Sequence, residues 1–161
     1  MKNPYPSETG CCPRFDPAPW DEKEFTWQDK QFIKDRVFCL FHIPIGFGRT
    51  VVRCMEKIDT ADAYPPAPPV FLSDHTSPWN MDLYIEVGKA VPGAQNVKLS
   101  GTFLSKVFEG HYKETGNWCR QTQQWVKGKG REIKKMFTYY TTCPKCAQHY
   151  GKNYVVILAQ V

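Results

Sequence analysis

Asp82, Tyr84 and Glu86 are the residues of this chain whose types and spacing most suggest chemistry. They alternate with Met81, Leu83, Ile85 and Val87. On a β-strand that alternation sends the apolar set to one face and two carboxylates with a phenol to the other. A carboxylate such as Glu86, set among rings, could anchor a cationic ligand. It could also take a proton from an attacking water if desolvation raised its pKa toward neutrality. The plainer alternative is a solvated strand face. Glu109 is a competing acid, placed just before a predicted helix, where a carboxylate is favoured by the helix dipole; it either caps that helix or faces ligand. Trp79, Tyr112, Tyr139 and Tyr140 are candidate walls for a ring-lined cleft. Tyr139 and Tyr140 must point to opposite sides of their strand, and Tyr140 is taken as the acid that would protonate a leaving group.

The cysteines form a second constellation. Cys143-Pro144-Lys145-Cys146 has the C-x-x-C spacing of a metal knuckle or a redox pair, and Cys11-Cys12 lies in the N-terminal stretch. Cys12, Cys143 and Cys146 are candidate ligands of a structural zinc, with His149 or the other tail cysteine completing four. A disulfide between tail and loop and plain packing are the alternatives. A thioredoxin-like role is not expected, because that motif opens a helix after a strand and residues 142–151 read as a strand-to-strand loop. There is no G-x-S-x-G elbow, and Gly46-Phe47-Gly48-Arg49-Thr50 lacks the Lys-Ser/Thr ending of a phosphate loop.

The elements that must position these residues follow from periodicity. Residues 1–36 are rich in proline and charge and read as an irregular extension, packed on the body through Phe15, Trp20, Phe25, Trp27 and Phe32. Val37–Ile43 reads as a strand. Phe47, Val51, Cys54, Met55 and Ile58 recur at helical spacing. A stiff proline connector over 65–69 is followed by a strand at 70–73, a turn, and the strand at 81–87. The pattern then restarts with a strand at 102–108, a helix at 112–127, strands at 136–140 and 154–159, and Trp118 and Trp125 on the helix stripe that faces the core. The first strand, the helix and the second strand of the two halves keep one constant offset. The order β-α-β-β therefore occurs twice, over 37–94 and 95–161. The expected fold is α+β: one antiparallel-rich sheet, two helices on one face and a ligand cleft on the other.

The duplicated plan resembles the GyrI-like small-molecule-binding domains, kin of the SOUL haem-binding fold. So does the junction Phe108-Glu109-Gly110-His111-Tyr112, which the family typically writes His-x-Gly-Pro-Tyr. Gly110 and Tyr112 match, whereas Phe108 and His111 depart from the pattern. The resemblance covers residues 37–161 and points to a stand-alone bacterial branch often labelled hydrolase. It implies a buried acid in the central cleft, a role that falls by strand position on Glu86, with Asp82, Tyr84, Glu109, Tyr112 and Trp79 around the ligand. In a hydrolytic branch that opens strained rings, such an acid acts beside aromatic neighbours.

Composition narrows the rest. The chain has 161 residues with 10 Phe, 8 Tyr and 5 Trp, enough rings for a thick core and a lined pocket. Its net charge of +5 conceals an acidic first half and a basic second half, and the basic run 127–135 reads as a solvated helix end. Nucleic acid is therefore not an expected partner. No segment has the length and apolarity of a membrane span, there is no signal-like start, and an odd count of seven cysteines, with Cys39, Cys54 and Cys119 among apolar neighbours, suits a reducing, cytoplasmic setting. The expected function is binding of a small aromatic molecule, planar or cationic, with its hydrolysis by Glu86-activated water as a possible extension. The alternative is a metal-stapled protein-interaction module without catalysis.

Overall fold

The computed structural model describes residues 4–161. Its described residues form seven strands and three α-helices: β1 (Lys23–Leu40), β2 (Ile43–Ile45), α1 (Phe47–Thr60), β3 (Phe71–Ser77), β4 (Asn80–Glu86), β5 (Gln95–Glu109), α2 (Thr115–Gly128), β6 (Lys135–Tyr140), α3 (Pro144–Tyr150) and β7 (Tyr154–Gln160). Contacts divide the chain into two units. One holds Tyr5 and Asp29–Leu99, the other Pro6–Gln28 and Ser100–Val161.

In the first unit the strands lie in the order β2-β1-β4-β3 and pair antiparallel. The odd residues Met81, Leu83 and Ile85 of β4, with Ile33 and Val37 of β1, meet Cys54 and Ile58 of α1 in a closed apolar core. The helix thus covers one face of the sheet through the stripe its sequence announced. Chain packing is tight where β4 ends: Gly88 N–H donates to Ala63 O at 2.8 Å, and a Cβ on Gly88 would lie 2.8 Å from Tyr64 O. Only a residue without a side chain allows this approach.

In the second unit β7 is central, between β5 and β6, again antiparallel. Trp118 and Val126 of α2 pack on Val155, Ile157 and Ala159 of β7. The opposite face carries Phe103, Phe137 and Tyr139, and the N-terminal segment lies against it. Trp20 and Phe15 meet Tyr139 at 5.6 and 5.9 Å between ring centroids, and Trp27 meets Phe103 at 4.6 Å. Asp21 accepts the Val107 N–H at 3.1 Å.

Several elements differ from the sequence expectation. The strand expected over 37–43 turns at Phe41 and His42, both at positive φ, so that β2 pairs back on β1, and β5 begins at Gln95 rather than near residue 102. β1 begins at Lys23, well inside the stretch read as irregular up to residue 36. The alternation there is broken because Asp29 sits at φ 50°, so that Phe25 and Trp27 are in one phase and Phe32 in the other; an aspartate tolerates this conformation better than most residues. β3 runs on to Ser77, through residues expected to turn. The loop 142–151 contains α3, with Cys143 at its N-cap, Pro144 in its first turn and Gly151 closing it at φ 71°. Pro at the start and Gly past the end are ordinary helix punctuation, overlooked because seven residues are too few to show an apolar period.

Candidate functional site

Register fixes which side chains share the face of the first unit's sheet away from α1, a face expected to be open but buried at Phe32, Leu72, Asp82 and Tyr84. Phe32 is opposite Glu86, Lys34 opposite Tyr84, and Arg36 opposite Asp82. On the other side of β4, Leu72 is opposite Tyr84 and Asp74 opposite Asp82. Directly opposed residues project to the same face, so the expected row Asp82, Tyr84, Glu86 is flanked by basic and aromatic residues of β1 and by Leu72 and Asp74 of β3. All of it lies on the face away from α1.

The two carboxylates of that row are not equivalent. Glu86 is fully engaged: Oε1 is 2.6 Å from Lys30 Nζ, and Oε2 accepts the Val70 N–H at 3.0 Å. Asp82 is only 6% exposed. Its Oδ2 is 3.3 Å from Lys34 Nζ, while Oδ1 has no hydrogen bond and only a loose approach from Arg36 Nε at 3.8 Å. A buried carboxylate oxygen normally has a donor, so Asp82 is the acid with unused capacity. Tyr84 is buried beside it, edge-on to Phe32 at 6.4 Å, and Lys34 Nζ stands 5.6 Å from its ring centre. Tyr5 adds a phenol that sequence reasoning missed. Burial and then the nearby Glu86 charge push its pKa up, and its hydroxyl donates to Pro65 O at 2.5 Å. Lys30, Phe32 and Lys34 were missed with it, though their alternation along 30–34 was a usable signal.

The remaining expected residues lie elsewhere. Trp79, at the β3–β4 turn, is exposed and packs on Phe41 at 5.0 Å. Tyr112 is exposed, stacked loosely on His111. Glu109 is exposed at the end of β5; the residue before α2 is Glu114, not Glu109. Tyr140 belongs to the second unit and points toward α2, 3.5 Å from Thr115 Oγ1, and burial raises the pKa of its phenol. The partner on the same strand, Tyr139, takes the opposite face, under Phe15 and Trp20. The acid role assigned to Tyr140 therefore falls on a phenol that faces a helix.

The cysteine constellation is assembled within the second unit. The sulfurs of Cys11, Cys12, Cys143 and Cys146 all lie within 4.8 Å of one another, a grouping able to hold a metal ion. Cys11 Sγ is 3.7 Å from Cys12 Sγ, the Cys143 N–H points at Cys12 Sγ at 3.4 Å, and Thr9 Oγ1 is 3.2 Å from Cys146 Sγ. His149 is not a member: it faces Glu8 at 3.5 Å. Burial pushes the Cys146 thiol up, but the hydrogen bonds from Thr9 and its neighbours outweigh it and bring the pKa to about 7. Burial raises that of Cys12. The C-x-x-C motif does open a helix after a strand, so the ground for not expecting a thioredoxin-like role does not hold. What separates this site from an isolated redox pair is the second pair of thiols beside it.

The two units are antiparallel α+β units, each with a helix on one sheet face, and the first carries its acidic row on the face away from α1, the fold that the resemblance seen in the sequence implies. Over residues 3–161 the chain matches the model of the family described as Bacterial hydrolase, and it belongs to that family. No curated protein matches it. Among solved structures it is similar to SAV2435 bound to tetraphenylphosphonium, at 14% identity and a TM-score of 0.50, over 86% of this chain and 92% of that one. It is equally similar to a Staphylococcus aureus MU50 protein described under bacterial transcription regulation, at 14% identity and 0.50, over 88% and 98%. At this identity the likeness is one of fold. No described helix is long and apolar enough to cross a membrane.

Proposed function

We propose that the protein binds a small aromatic cation at the sheet face of the first unit that lies away from α1, with the buried Asp82 as the charged anchor and Tyr84 and Phe32 as apolar walls that must part to admit it. The observation that carries this is the buried Asp82 carboxylate, one oxygen of which has no hydrogen bond. A soft organic cation can neutralise such a group without needing to donate to it, and rings favour it further. That a protein of this fold has been seen with tetraphenylphosphonium, an aromatic cation, supports the reading. Glu86 is the second acid of the face; with both oxygens engaged, it serves to position β4 and Lys30. We read the two units as copies of one β-α-β-β plan, since in each the last strand lies between the other two. The interaction-module alternative is not favoured, because the cysteine cluster joins segments of a single unit.

Hydrolysis of the bound molecule is a second reading, favoured by the family's description. It requires a carboxylate able to accept a proton from water, and Asp82 Oδ1 suits that better than Glu86. Isothermal titration of tetraphenylphosphonium into the purified protein tests the binding reading. Asp82→Asn should weaken binding about tenfold or more, a loss of at least about 1.4 kcal/mol, and neutral triphenylphosphine oxide should bind far more weakly than the cation. Equal affinity in wild type and D82N would remove Asp82 from the anchor role.

A further inference from the structure

We infer that Cys11, Cys12, Cys143 and Cys146 bind a single zinc ion through four thiolates, stapling the N-terminal segment of the second unit to α3. The site is independent of the ligand reading.

The distances fit. With zinc–sulfur bonds of about 2.3 Å, tetrahedral geometry places the sulfurs about 3.8 Å apart. The four sulfurs all lie within 4.8 Å of one another, and Cys11 and Cys12 are already 3.7 Å apart. That separation is far beyond the roughly 2.05 Å of a disulfide. Four soft ligands at the corners of a small tetrahedron select zinc over hard cations, which need oxygen.

The surroundings are those of a structural metal centre. Adjacent cysteines seldom ligate together, but here the turn before them aims both. Gly10 stands at φ 70°, and Cys11 N–H donates to Ser7 Oγ at 3.1 Å. The Cys143 N–H and the Thr9 hydroxyl lie at the sulfurs of Cys12 and Cys146, the kind of outer contact that orients thiolates and spreads their charge. Tyr150 of α3 donates its hydroxyl to Cys12 O at 2.5 Å, so peptide and side chains hold the two cysteine pairs in register. Cys146 is buried, Cys12 and Cys143 are half-buried and Cys11 lies at the surface; four thiolates leave no open coordination position for catalysis. More than a hundred residues separate the pairs in sequence, so a metal there closes a long loop and restricts the unfolded chain.

The test is metal analysis of untagged protein purified without chelator. One zinc per chain is expected, and native mass spectrometry should show it as a bound ion with all thiols reduced. Cys143→Ser and Cys146→Ser should lose the zinc, while Cys119→Ser, outside the cluster, retains it. Should the serine variants fail to fold, cobalt(II) exchanged into wild type provides the second readout: a tetrahedral thiolate spectrum is expected, its sulfur-to-metal band reduced by roughly a quarter in Cys11→Ser, one thiolate of four. Metal-free wild type, a mass lower by two hydrogen atoms from a disulfide, an iron-loaded protein, or an octahedral cobalt spectrum would each overturn the inference.

Discussion

Lys34 Nζ lies 3.3 Å from Asp82 Oδ2, across adjacent strands and directly over the ring of Tyr84. The lysine compensates the buried charge at one oxygen and leaves the other without a hydrogen bond. Lys34→Met therefore has two expected consequences. The folded protein loses stability by about 1–3 kcal/mol, because a buried carboxylate is left with less compensation, measurable by urea unfolding. Its affinity for tetraphenylphosphonium rises, because the cation no longer competes with a lysine. An affinity that falls in K34M would place the cation elsewhere.

Glu86 separates a structural from a chemical role. Glu86→Gln keeps an oxygen for the Val70 N–H and loses only the Lys30 ion pair, which is partly exposed, so the expected cost is below about 1 kcal/mol. Glu86→Ala also strands the Val70 N–H and should cost about 1–3 kcal/mol. Denaturation midpoints of the two variants check this ordering. If E86Q were as destabilised as E86A, the contact with the Val70 N–H would not be what holds β4.

Gly88 admits no side chain. Gly88→Ala sets a methyl 2.8 Å from the Tyr64 carbonyl, a backbone atom that cannot swing aside. The expected destabilisation is about 1–3 kcal/mol, seen as a lower midpoint in thermal unfolding. An unchanged midpoint would mean that the connector after α1 yields freely.

His75 makes stability pH-dependent. Burial, followed by the neighbouring His42, lowers its pKa, with Asp74 opposing, and its Nδ1 is buried without a hydrogen bond. The folded state thus holds the neutral imidazole, while the unfolded chain protonates near pH 6.5. Its contribution is present above that pH and is lost as pH falls toward the lower folded value. Urea unfolding at pH 7.5 and 5.5 should show weaker stability at the lower pH, and His75→Gln should flatten the difference. An equal slope in H75Q would assign the acid sensitivity to other groups.

Much of the architecture was legible in the sequence because it is periodic. Met81, Leu83 and Ile85 at every second position and Val51, Cys54 and Ile58 at helical spacing each report a buried face, and burial of apolar side chains dominates folding energetics. The same alternation placed Asp82, Tyr84 and Glu86 together on the face away from α1; it did not show that this face is buried at Asp82 and Tyr84. Where the backbone leaves the regular pattern, as at Asp29 in β1, or an element is too short for a period, as in α3, the signal was lost.

Partnership, by contrast, is a property of three dimensions. Nothing in the residue order distinguishes Glu86 from Asp82. Glu86 is satisfied because Lys30 of β1 and the Val70 N–H just before β3 reach it; the register leaves Asp82 Oδ1 without a hydrogen bond. The sequence by itself could pair Cys143 with Cys146 through their spacing, since a local chelate is set by a few dihedral angles. Bringing Cys11 and Cys12 to them depended on the N-terminal rings seating on the sheet of the second unit, a long-range packing outcome that local spacing does not encode.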